Sequence, residues 1–547
     1  MRKIWLTMAA MAMAVSLTAC SGSKSQTDAG TGTSAAAGTT AAGTSAGTAD
    51  GTQEASSDAA GTGDEKAADK DTMVIGCYGA TQSMFPANDS KLPGAQIHVN
   101  LYDTLLTMDK DGEVQPLLAE EWEQVDELTY RFKLKQGVKF HNGEELKASD
   151  VVFSMKVLCE AAGTKSNTAQ FDPEGFVAED DYTVVLKTKQ PFSPFLRILC
   201  HPTISIFNEK FYEEHLAAGD LDLVECGTGP FMLSEWNEGE NIVLERFDDY
   251  FGGPAKMKYL NFRYISEANT RLMELESGGI DLMQEVPGVS IQDIEGNEDL
   301  ILWTTSGVNT SYFALNFDKF DDTKVREAIA HSIDNEQLCK ICLMGAAEPL
   351  NCIVPTTVSG SYEAGKYEYD PELSKQLLAE AGYPDGINLQ LSYYSSSDNR
   401  RMGEFLQNMM AAGGITLELN EMDSSAYTPF LNSRQQEAAI CTTVCTLRDP
   451  YQTLSKLYSN SCGEGGNRVN YNDPEFDKML DAAAAETDQT KRNELYKEIQ
   501  TYLYDRVVYI PLYNMRVQTA TRANIRGFDL IYPTNYQRYN TCYFVEE

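Results

Sequence analysis

The alternation of apolar and polar positions is clearest after Leu128. In Thr129-Tyr130-Arg131-Phe132-Lys133-Leu134 every second side chain is apolar. That period predicts a half-buried strand with Tyr130, Phe132 and Leu134 on its inner face. Gly137 and Asn142-Gly143 supply turns after it. Ser149-Asp150 are placed to cap a helix that starts at Val151-Val152-Phe153. Asp370-Pro371 and Asp473-Pro474 each read as an acidic N-cap followed by Pro at the first helical position, and Gly382 stands at a C′ position.

The first 71 positions have a different pattern. Arg2 and Lys3 precede a largely apolar run from Ile4 to Leu17, and Leu17-Thr18-Ala19-Cys20 follows. A charged start, a short apolar stretch and small residues at a cleavage point predict a secretory signal peptide over 1–19. The run is shorter than the roughly 20 residues a membrane-spanning helix needs. Leu-Thr-Ala-Cys also resembles the bacterial lipobox, which implies cleavage before Cys20 and diacylation of its thiol. Two or three acyl chains make a stable anchor. From Ser21 to Asp71 the residues are small or polar, with no aromatic. Such a segment cannot bury enough apolar surface to offset its chain entropy. Residues 20–72 therefore read as a lipidated cysteine and flexible linker, with a reach on the order of 40 Å. A cell-wall-spanning or glycosylated stretch would have the same composition.

Charge and cysteine content narrow the function. A formal net charge of −37 excludes nucleic acid as a partner, because phosphate binding needs a positive footprint. It also opposes adsorption to anionic lipid, so membrane attachment falls to the acyl anchor. Besides Cys20 there are eleven cysteines, an odd number that leaves at least one unpaired. Buried thiols pack as small hydrophobes, and Cys339-x-x-Cys342, one lone pair on an expected helix, fits a core role better than a metal site. The five histidines show no metal-ligand spacing. His141, beside the Asn142-Gly143 turn, is expected to be structural. Beyond the linker there is no Gly-x-Ser-x-Gly and no His-Glu-x-x-His, and Gly227-Thr228-Gly229-Pro230 lacks the residues of a phosphate loop. No catalytic residue, metal or cofactor is expected.

Several stretches carry a family resemblance. Pro116-Leu117-Leu118-Ala119-Glu120-Glu121-Trp122, Leu128 through Leu134, Gly137-Val138-Lys139-Phe140-His141-Asn142-Gly143 and Ser149-Asp150-Val151-Val152-Phe153-Ser154 together resemble the signature of the extracellular solute-binding proteins of family 5. Those are the dipeptide-, oligopeptide- and nickel-binding components of ABC importers. Asn100 to Leu106, Gly227 to Phe231, Phe313-Ala314-Leu315-Asn316, Val325 to Asp334 and Leu377 to Tyr383 follow the same family in order. The resemblance implies an α/β, type II periplasmic-binding-protein-like fold: two lobes joined by a hinge, plus an extra inserted domain (the three-domain, cluster C arrangement). Lobe I would take 73–108, 222–315 and 510–547, the extra domain 109–221, and lobe II 316–509.

The same resemblance implies a monomer, lipid-anchored and facing the extracellular space or periplasm. It would capture an oligopeptide or dipeptide by lobe closure and pass it to a membrane permease with a cytoplasmic ATPase. A nickel chelate or an oligosaccharide is the alternative cargo, and a secreted hydrolase or a sensor is the alternative class. Carried over by position, Ser90 and Leu92 fall on a ligand-contacting loop of the first lobe. Tyr427 falls where an aromatic pocket wall is expected, against the alternative of a core aromatic. Arg434 falls on a nearby basic site, against that of a surface salt bridge. Peptide binders of the family place a Trp-x-x-Asp before the Pro450 position, the Asp pairing with the peptide α-amine. Here the stretch reads Cys-Thr-Thr-Val-Cys-Thr-Leu-Arg-Asp-Pro from Cys441 to Pro450. Thr443 stands near the Trp position and Thr446 at the acidic one, and Asp449 could substitute if the loop is trimmed.

Overall fold

The computed structural model describes residues 68–89, 91–459, 466–530 and 536–546. The signal peptide, Cys20, nearly all of the linker, Ser90 and Cys462 lie outside the described residues. The chain enters with β1 (Thr72–Cys77), and β2 (Leu106–Met108) and β3 (Val114–Pro116) form a hairpin. β4 (Ala119–Gln124), β5 (Thr129–Leu134), β6 (Val177–Asp180) and β7 (Thr183–Lys187) make a separate antiparallel sheet in the order β4-β5-β7-β6. β5 is the strand that the alternation predicts. Tyr130, Phe132 and Leu134 are buried, while Arg131 and Lys133 pair on the outer face with Glu179, Glu123 and Glu121. The helix beside it runs from Ala148 to Glu160, three residues earlier than expected. Asp150 still serves its start, but from inside the first turn, accepting from the Lys147 N–H at 3.0 Å.

The main sheet is continuous through both lobes. β8 (Phe231–Asn237), β9 (Asn241–Arg246) and β10 (Tyr259–Tyr264) bring the chain back beside β1, and β11 (Leu282–Gln284) and β12 (Leu300–Ser306) complete one half. β13 (Asn309–Leu315), β14 (Ala347–Pro349), β15 (Ile387–Tyr394), β16 (Ile415–Met422) and β17 (Ala438–Val444) build the other. Along β13, Tyr312 and Ala314 enter one core while Phe313 and Leu315 enter another. Both faces of this half-sheet are buried, which is why Tyr312–Leu315 of β13 form an unbroken apolar run. Asp370 and Asp473 cap their helices as expected, each accepting from two backbone N–H groups, and Gly382 has φ +94.

β18 (Ile510–Arg522) joins the halves. Its first residues pair with β13 and β14, and its last with β12 and β11. The chain also crosses between β12 and β13, at Gly307-Val308. Two strands therefore pass side by side from one lobe to the other. Asn309 and Asn514 tie them together: Met515 N–H donates to Asn309 Oδ1 at 2.9 Å, and Asn514 Nδ2 donates to Gly307 O at 3.1 Å. A side chain at Gly307 would collide with the Met515 carbonyl, so close approach of the strands requires glycine there.

Candidate ligand-binding site between the lobes

Strand direction places the site. β18 runs from the second lobe into the first, and β11 is antiparallel to it, so β11 and its parallel neighbour β1 point toward the second lobe. β13 leaves the crossing, β17 is antiparallel to β13, and β15 and β16 run parallel with β17. The carboxyl ends of both lobes thus face one gap, where open α/β sheets bind ligands. Tyr394 and Val444, the last residues of β15 and β17, are 44% and 47% exposed there.

A cleft of about 680 Å³, its solvent-filled mouth included, lies across this gap. Tyr102, Asp109, His201, Tyr536 and Arg538 wall it from the first-lobe side, and Thr446 and Arg448 from the second. Burial pushes the His201 imidazole down to about 4, so it is neutral at pH 7, and its Nδ1 meets Thr203 Oγ1 at 2.8 Å. Burial pushes the Tyr536 phenol up to about 12. Arg538 Nη2 donates to the fully buried Asp103 at 2.7 Å and to Tyr102 O at 3.1 Å. Arg448, at the edge of the second lobe, reaches over to the β2–β3 turn and donates from Nη1 to Lys110 O at 2.9 Å.

Beside the cavity the lobes share a buried charge cluster. Asp449 is 1% exposed and accepts from Tyr496 OH at 2.9 Å and Tyr451 N–H at 3.0 Å. Arg492 Nη2 lies 3.1 Å from Asp449 Oδ2 as an ion pair without hydrogen-bond alignment. Arg197, from the first-lobe side, approaches to 4.0 Å and donates to Gly112 O at 2.7 Å.

Of the residues singled out from sequence, Thr446 lines the cavity. Asp449, the residue after Arg448 of the cavity wall, is engaged by arginines and a tyrosine. Thr443 is buried on β17 opposite Thr310. The Tyr427 hydroxyl shares its one proton between Ile440 O at 2.8 Å and Ser392 O at 3.1 Å inside the second lobe, and its ring lies 5.8 Å from that of Tyr394. Arg434 ends a helix at φ +56 and donates to Asn470 Oδ1 at 2.7 Å. Leu92 opens the helix Leu92–Leu101, whose far end brings Val99 to the cavity. His141 is locked between Glu225 at 2.8 Å and Gly229 O at 3.0 Å, in the turn at Gly227-Pro230. Sequence reasoning missed Arg448, Arg538, His201 and Tyr536. Arg448 was the one with a visible signal, a cation within three residues of an expected acidic position.

Among the described residues all ten cysteines are free thiols, and no group of three metal-ligating side chains converges. No helix among them is long and apolar enough to cross a membrane.

The chain is similar in sequence and fold to known proteins. A sequence profile of the bacterial extracellular solute-binding proteins, family 5 Middle, matches residues 113–465. The glutathione-binding protein GsiB of Salmonella paratyphi A is 28% identical over 486 residues, 86% of this chain and 94% of that protein. The periplasmic binding protein DppA of Helicobacter pylori, solved with the peptide STSA, superposes with a TM-score of 0.76 at 26% identity, over 87% of this chain and 98% of that one. The ABC transporter substrate-binding protein CtaP of Listeria monocytogenes gives a TM-score of 0.79 at 24% identity, over 88% and 100%. The fold is that of the type II periplasmic binding proteins, as the resemblance implied.

Proposed function

Because the chain belongs to the bacterial extracellular solute-binding proteins of family 5, the binding class of ABC importers, we propose that it captures a short peptide between its lobes and hands it to a membrane permease. The observation that carries this reading is the cavity at the facing strand ends, walled by both lobes and bridged by two strands that can bend together. Relatives described as glutathione-binding and as peptide-bound support a small peptide or peptide-like solute. Closure stabilises a ligand that touches both walls, and the permease reads the closed form. Cys20 is the lipid anchor and the segment to residue 72 the tether, so that a monomeric trap stays near its permease on the outer face of the membrane.

The experiment is a thermal-shift screen of the purified protein against di- to pentapeptides, amino acids, sugars and nickel chelates. A true ligand at 100 times its Kd adds about 2.7 kcal/mol of stability. Shifts with sugars or chelates and none with peptides would overturn the peptide cargo. For the anchor, Cys20→Ser should release the protein from the membrane fraction; unchanged retention would refute it.

A further inference from the structure

The second-lobe wall of the cavity presents a cation that makes no direct ion pair with any acid among the described residues. Arg448 stands at φ +50, a conformation unfavourable for any residue with a side chain. Its guanidinium is fastened only to carbonyls, Lys110 O at 2.9 Å and Thr357 O at 3.0 Å, and its buried Nε has no hydrogen-bond partner. Burial and, next, the neighbouring Arg197 guanidinium disfavour its charge, while the carboxylates of Asp109 and Asp111 favour it without touching it. The nearby acids are engaged elsewhere. Asp449 holds Arg492 and Tyr496. Asp109, which lines the cavity, accepts from the N–H groups of Asp111 and Glu113 and from Gln115. Asp103 neutralises Arg538. Gly112 leaves room for the guanidinium, since a Cβ there would stand 2.7 Å from Arg448 Cζ. Thr446, two residues earlier, adds a hydroxyl to the same wall.

An ammonium group brought to this wall would meet the guanidinium, and the Asp109 carboxylate in the same lining is already held by two backbone N–H groups and Gln115. A carboxylate would meet a guanidinium that makes no direct ion pair, with a hydroxyl beside it, the arrangement that gives strong charge-assisted hydrogen bonds. We propose that Arg448, with Thr446 beside it, receives a carboxylate of the ligand, so that the cavity selects small solutes with a free carboxylate at the second-lobe wall. This rests on the reading of the cavity as the cargo site, and it reverses the polarity that the peptide-binder pattern implies for this loop. It also links recognition to closure. Arg448 spans the gap to Lys110, so a ligand that neutralises it lowers the cost of burying the cation when the lobes are shut.

The test is calorimetric titration of the purified protein with di- and tripeptides as free acids and as C-terminal amides, each with and without a Glu side chain. Succinate and glutarate are titrated against their diamides in parallel. Free acids should bind about 10-fold tighter than amides or more, as expected for a charge-assisted pair. A Glu residue that restores the affinity of an amide identifies a side-chain carboxylate as the group bound; failure to restore it identifies the C-terminus. Arg448→Met should bring the acid-to-amide ratio close to one, and Thr446→Asp, which leaves the arginine in place, should lower it as well. Amides binding as tightly as acids, or a ratio that survives both substitutions, would overturn the proposal while peptide cargo stands. Dicarboxylates binding through Arg448 with no peptide binding would remove peptide cargo and keep the carboxylate site. If none of these probes bind, both readings fall.

Discussion

Replacing Asp449 with Ala separates the two roles open to this carboxylate, ligand anchor or internal counter-ion. In the structure it is 1% exposed and faces Arg492 at 3.1 Å, while Tyr496 OH and Tyr451 N–H donate to its other oxygen. Its removal leaves the Arg492 guanidinium buried without its acid, and breaking a buried pair costs about 3–5 kcal/mol. Asp449 also caps the helix Pro450–Leu454, and loss of a cap costs ~1 kcal/mol more. The two losses share one side chain and do not simply add, so about 4–5 kcal/mol is the expected total. For a lobe of roughly 200 residues, with ~2 cal/mol/K of unfolding entropy per residue, the melting temperature should fall by about 10 °C. Calorimetry of the ligand-free variant measures this, and titration of the folded variant below its new transition measures affinity. A melting temperature within about 1 °C of the parent, together with lost affinity, would refute the counter-ion assignment and return Asp449 to the ligand.

Other outcomes follow from the same geometry. Glu285, half-buried at the end of β11 with φ +53, is pushed up to about 7 by burial against the opposing pull of Arg271. A raised folded pKa means that the folded state holds this proton longer, so the contribution of Glu285 to stability should be full below about pH 4.5 and decline as pH rises toward 7. The decline is at most ~3 kcal/mol; urea midpoints from pH 4.5 to 8 should show it, and Glu285→Gln should remove that component, an unchanged pH slope counting against it. Gly307→Ala forces a methyl into the Met515 carbonyl and should separate the paired crossing strands; small-angle scattering should then show weaker ligand-induced compaction, and normal compaction would contradict the hinge assignment. Tyr427→Phe should cost about 1–2 kcal/mol by stranding two carbonyls and leave affinity unchanged, whereas a selective drop in affinity would place Tyr427 in the ligand site.

The sequence by itself determined the features that local chemistry governs. The period of Tyr130, Phe132 and Leu134 specifies a one-sided strand because a pleat alternates its faces. Asp370-Pro371 and Asp473-Pro474 specify helix starts because a short carboxylate and a fixed φ satisfy the first turn wherever it lies. The order of these signals was enough to recognise the family and hence the fold. Of the described residues singled out from sequence, Thr446 is the one that lines the cavity. Arg448 and Asp449 are adjacent and carry opposite charges, and nothing in the sequence says which one meets the ligand. That depended on which side chains arrive from elsewhere. Arg197, Arg492 and Tyr496 converge on Asp449, while Arg448 finds only carbonyls. It depended equally on β18, which shares its length between two lobes and brings their strand ends to one gap. Charge pairing across that gap is set by distances between remote segments, and only the folded chain fixes those distances.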